Sequence, residues 1–118
     1  MDLDAALGEM KRLSELIDAG VDAMRAAARG YAQAEHDYRL AKAQGWLMAP
    51  KGTVPEREAW VNAHTAEARR QRDVAEGVKQ AALEAIRSRR TQLSAWQSWL
   101  AASREEMGMG RYGPEVAP

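Results

Sequence analysis

Few side chains in this chain are equipped for chemistry, and their spacing does not bring them together. The only histidines are His36 and His64, and there is no cysteine. Glu35-His36-Asp37 sets three metal-ligand types in a row. Adjacent helical residues diverge by about 100°, so the three do not converge on one ion. No Glu-x-x-His pair of the di-iron bundle type is present. Nor is there a Ser/His/Asp or Cys/His set, a phosphate loop or a GxGxxG turn. The expectation is a protein without catalytic residues, metal or cofactor.

The cations offer a different chemistry. Residues 69–104 carry eight basic and three acidic side chains, a net of +5 in a chain whose formal charge is zero. Arg69, Arg72, Lys79, Arg87 and Arg90 fall on one broad face of a helix. Such a face suits a phosphate track gripped by guanidinium forks. The plainer alternative is a solvated face paired with Asp73, Glu76 and Glu84. Arg89 falls nearer the packing side, where its stem snorkels or it pairs with an acid such as Glu35 on another helix. The aromatics divide in the same way. Trp96 and Trp99 suit base stacking or helix packing, and Trp96 lies on an apolar seam. Trp46 and Trp60 flank a turn, and Tyr31 and Tyr38 stand seven apart on one face.

These residues need helices to position them. Leu3, Leu7, Met10, Ser14, Ile17, Val21, Met24, Ala28, Tyr31, Glu35 and Tyr38 recur at coiled-coil spacing, widened by Leu13, Leu16, Ala27, Ala34 and Ala41. This predicts one long or slightly bent helix over about 3–48, despite Gly8, Gly20 and Gly30. Gly45, Pro50 and Gly52 mark a turn over 45–53. Thr53 with Glu56 matches a capping box, and Pro55 fits a first helical turn. A second helix is predicted over 54–107. Its seam reads Val61, His64, Ala68, Gln71, Ala75, Val78, Ala82, Ala85/Ile86, Arg89, Leu93, Trp96 and Leu100. Gly108 is its expected terminator, with 108–118 a flexible tail.

Two long helices joined by a short turn must lie antiparallel. The fold class is therefore all-α: a long antiparallel two-helix hairpin, coiled-coil-like, over 1–107. Alanine-rich seams let the backbones approach closely. The chain has four Trp, three Tyr and no Phe, too few large side chains for a thick core. The stripes then stay half wet unless the hairpin joins an oligomer or bundle. Tyr31, Tyr38, Ile86, Leu93, Trp96, Trp99 and Leu100 are the expected interface. The lack of cysteine fits a reducing compartment. No apolar run nears the roughly 20 residues of a membrane span, and the acidic start MDLDAALGEM is not a secretory signal. Cytoplasm of a host cell, without membrane contact, is the expected location.

The Tyr-Arg-x-x-Lys-Ala segment (Tyr38, Arg39, Lys42, Ala43) and the Ile-Arg-Ser-Arg segment (Ile86, Arg87, Ser88, Arg89) resemble those of the UvsY-type recombination mediators of bacteriophages. The resemblance spans about the second half of each helix. It implies a helical ring that binds single-stranded DNA and loads a recombinase onto strands covered by a single-strand-binding protein. Arg39, Lys42, Arg87, Arg89 and Arg90 would then contact DNA, and the alanine and tryptophan stripes would form the ring interface. Secreted WXG hairpins are set aside, because the turn reads Gly45-Trp46-Leu47. Two functions are therefore expected: single-stranded DNA binding in phage recombination or replication, or adaptor work through helix-mediated assembly with itself or a virion or host partner.

Overall fold

The computed structural model describes residues 2–116, and side chains through Met107. Helix α1 spans Leu3–Met48, α2 spans Val54–His64 and α3 spans Ala66–Val116. There is no strand among the described residues. The fold is the predicted antiparallel helical hairpin, with α2 and α3 together forming the returning arm. By packing it divides into two units, Met1–Val21 with Ala85–Pro118, and Asp22–Glu84.

Local chemistry sets the helix ends. Asp2 caps α1, its Oδ1 accepting the Ala5 amide at 2.6 Å. α1 stops two residues short of Pro50, whose ring disfavours helical backbone in the residue before it. Thr53 is extended (φ −67, ψ 160) and its hydroxyl accepts the Glu56 amide at 3.3 Å. The Glu56 carboxylate lies against Gly52, where a Cβ would stand 2.6 Å from its Oε2.

In the first unit burial selects Ala6, Met10, Leu13, Ile17 and Gly20 of α1, and Ile86, Arg89, Leu93, Trp96 and Leu100 of α3. The steps are four and three throughout. Ile86 sits so close to Gly20 that a Cβ there would meet its Cγ1 at 3.1 Å. Counting outward from that pair sets Ile17 with Arg89, Leu13 with Leu93, Met10 with Trp96 and Ala6 with Leu100. The predicted α1 seam is therefore half corrected. Leu3 and Leu7 are 46% and 43% exposed, whereas Ala6 and Leu13 are buried. The small residues take the seam because they let the backbones approach, and Gly20 is a packing position inside an unbroken helix.

The second unit follows the same rule. A Cβ on Gly45 would stand 3.3 Å from Val61 Cγ1 and 3.7 Å from Thr65 Cγ2. Counting from there sets Ala41 with Thr65, Tyr38 with Ala68, Ala34 with Arg72, Tyr31 with Ala75 and Ala27 with Lys79. Large side chains again face small ones. His64, Gln71 and Val78, predicted for this seam, are exposed, and Thr65, Arg72 and Lys79 replace them.

Two helix boundaries differ from expectation. The second helix breaks at Thr65 (φ −110, ψ 8). Its hydroxyl donates to the Val61 carbonyl at 2.7 Å, beside its own amide at 2.9 Å. A threonine hydroxyl competing for the i−4 carbonyl distorts helices in this way. At the far end the α3 backbone runs on to Val116, past Gly108. Glycine stops a helix by turning left-handed, and no described glycine has positive φ. The side chains of the expected tail, 108–118, lie outside the described residues.

Candidate functional site

Among the eight candidate nucleic-acid residues, Arg72, Lys79 and Arg89 contact α1. α3 carries Arg72 and Lys79 at seam positions, and both reach α1. The Arg72 guanidinium lies 4.5 Å from the Tyr38 ring centroid, and Lys79 Nζ 4.1 Å from that of Tyr31. These are cation–π contacts, which half-buried tyrosines at alanine-flanked positions make available. Arg89 is also turned inward: its Nη1 donates to the Leu16 carbonyl at 3.3 Å. The expected pairing of Arg89 with Glu35 is not made. Glu35 is bonded instead to the Tyr31 hydroxyl and to Arg39 at 2.8 Å. Lys42, Arg69, Arg87 and Arg90 are exposed.

Glu35 ties Tyr31 to Arg39 on its own helix. The Tyr31 hydroxyl, then Arg39 and Arg72, hold its carboxyl below the ordinary range. Reciprocally, the Glu35 hydrogen bond and partial burial push the Tyr31 phenol up. Asp37 accepts from Gln33 at 2.9 Å. Glu35 and Asp37 are thus held in separate local bonds. Among the described residues no three His, Cys, Asp or Glu side chains gather as a metal site.

The aromatic candidates also pack within the chain. Ile86 and Leu100 are buried, and Leu93 and Trp96 half-buried, in the first unit. Trp96 and Trp99 meet edge to face, with centroids 6.0 Å apart at 80°. Of the seven expected interface residues only Trp99 is exposed. At the turn Arg57 donates to the Trp46 carbonyl at 2.7 Å and lies 5.5 Å from the Trp46 ring centroid. Trp60 stacks on His64 at 3.7 Å. Both tryptophans close the turn, as their positions suggest.

Several large apolar side chains also remain open to solvent. In the first unit Leu3, Leu7, Trp99, Leu100, Arg104 and Met107 line a groove of about 320 Å³. Leu3, Leu7, Trp99 and Met107 are 46%, 43%, 37% and 69% exposed there. In the second unit Leu47, Met48 and Val54 are exposed beside the turn. Seam spacing alone hides the groove, because it ends the helix at Met107 and sets Leu3 and Leu7 under cover. Its signal was the off-seam position of Trp99. No helix of the described residues is long and apolar enough to cross a membrane. The geometry offers helix-packing surfaces. No family model, curated protein or solved structure matches the chain.

Proposed function

We propose that this chain is a non-enzymatic assembly module that works by presenting paired helices to other helices, first of all to copies of itself. One observation carries the reading. Among the described residues Leu3, Leu7, Leu40, Leu47, Met48, Val54, Trp99 and Met107 stay 37–88% exposed, and exposed apolar surface of this kind marks a site where another molecule packs. The core supports the same reading: its buried apolar side chains are Ala6, Leu13, Val61, Ile86 and Leu100. One of these is an alanine, and ten large apolar residues among those described stay exposed. Light scattering at rising concentration tests the proposal. The expected mass is a multiple of 13.0 kDa, and a constant 13.0 kDa up to millimolar protein would remove it.

Single-stranded DNA binding in phage recombination is a second reading. It is supported by the exposed Lys42, Arg69, Arg87 and Arg90 and by the resemblance to recombination mediators. Here Arg72, Lys79 and Arg89 would act structurally. Fluorescence anisotropy with labelled oligonucleotides tests it. Binding should weaken steeply with salt, and Arg87→Ala with Arg90→Ala should lower the slope. No binding at low salt would dismiss this reading and leave the first intact.

A further inference from the structure

Resting on the assembly reading, we infer that the groove of Leu3, Leu7, Trp99 and Met107 is a self-docking site: two copies meet groove to groove about a two-fold axis. The groove is open and lined almost wholly by carbon, which suits another helical surface better than a small polar ligand. The residues that line it also project from it, so the patch is self-complementary, as an isologous contact requires. Net charge is zero, so copies do not repel one another at long range. Charge at the rim is also complementary. Arg104 lies on the α3 wall, and Asp4 is in the first turn of α1 beside Leu3. Neither has a salt-bridge partner among the described residues, whereas the nearby Glu9 and Arg12 are paired with each other. A two-fold axis along the hairpin lays α1 of each copy over α3 of the other and brings Arg104 of each to Asp4 of the other, forming two exposed pairs around an apolar centre. The partner is therefore a second copy of this chain.

Sedimentation of the full chain over a concentration series tests the site, with circular dichroism as the folding control. Leu7→Asp places a charge in the centre twice per dimer and should raise Kd about a hundredfold. Leu7 is 43% exposed in the single chain, so helix content should be unchanged. Arg104→Asp and Asp4→Arg should each weaken self-association. An equimolar mixture of the two variants should recover it, because the heterodimer regains both pairs. If the native chain associates but Leu7→Asp, with intact helix, leaves Kd unchanged, the groove assignment is overturned and the assembly reading survives. Failure of the mixture to recover overturns the two-fold pairing. A native chain that stays at 13.0 kDa overturns both the inference and the reading beneath it.

Discussion

Glycine substitution separates the packed positions of the hairpin from the idle ones. Each helical glycine replaced by alanine gains about 1 kcal/mol of helix propensity. At Gly30 and Gly77 the added Cβ meets nothing within 4 Å. Gly30→Ala and Gly77→Ala should therefore realise most of that gain, about 4 °C in Tm for a chain of this size. At Gly20 the same methyl arrives 3.1 Å from Ile86 Cγ1 and 3.4 Å from Arg89 Nη1. Ordinary contact needs several tenths of an ångström more, so Ile86, which is buried, must shift. Overpacking of this kind costs about 1–3 kcal/mol, enough to cancel or reverse the propensity gain. Gly20→Ala should thus melt at or below the native temperature, and at least about 4 °C below Gly30→Ala. Ile86→Val removes a methyl group from the layer, so Gly20→Ala should cost less in that background. Thermal melts followed by circular dichroism, at one fixed protein concentration, measure the three alanine variants, Ile86→Val and the double variant. Equal stabilisation at positions 20 and 30 would refute the close approach of α1 and α3. So would a Gly20→Ala cost indifferent to Ile86→Val.

Tyr31→Phe should flatten the pH dependence of stability at both ends. Glu35 has its pKa lowered by the Tyr31 hydroxyl, so its contribution is present above its ordinary value of 4.5 and lost as pH falls through the lower folded value. Tyr31 has its pKa raised, so its contribution is present below its ordinary value of 10.0 and lost as pH rises through the higher folded one. Urea midpoints from pH 3 to 11 should show both limbs shrink together, while the ring stays over Lys79. Arg72→Leu and Lys79→Leu, which exchange seam cations for apolar side chains, should leave Tm unchanged or higher, read from the same melts. Thr53→Ala should cost about 1 kcal/mol in urea denaturation, by removing the cap of α2.

The parts of the fold that depend on local chemistry were legible in the sequence. Pro50, Gly52 and the Thr53 cap place the turn by interactions spanning only a few residues. The seam was legible only to within one residue per heptad. Ranking candidates by apolar size favours Leu7 over Ala6, Val21 over Gly20 and Val78 over Lys79. Two closely packed helices obey another rule: where the backbones approach most closely a small residue must face a large one, so Gly20 is admitted because Ile86 faces it. Val78 is 55% exposed as a result. The Thr65 break was hidden for a similar reason. A mid-helix threonine bends its helix only when its hydroxyl takes the i−4 carbonyl, and here Thr65 packs against Gly45 as well.

The same geometry bears on what the cations do. A basic residue read from sequence counts as a phosphate contact by default, because it is assumed to face water. Arg72, Lys79 and Arg89 break that assumption, since tyrosine faces and a backbone carbonyl draw their charged heads toward α1. Removing them from the positive count of residues 69–104 lowers its net from +5 to +2. Counterion release scales with the number of phosphates neutralised, so affinity for a nucleic acid would fall steeply with that loss. The apolar patches lose nothing by the same reckoning. Leu3, Leu7, Trp99 and Met107 are exposed because the seam has no place left for them. Three seam cations turned toward α1, with leucine and tryptophan left outward, favour the proposed helix-binding role over the proposed phosphate-binding one.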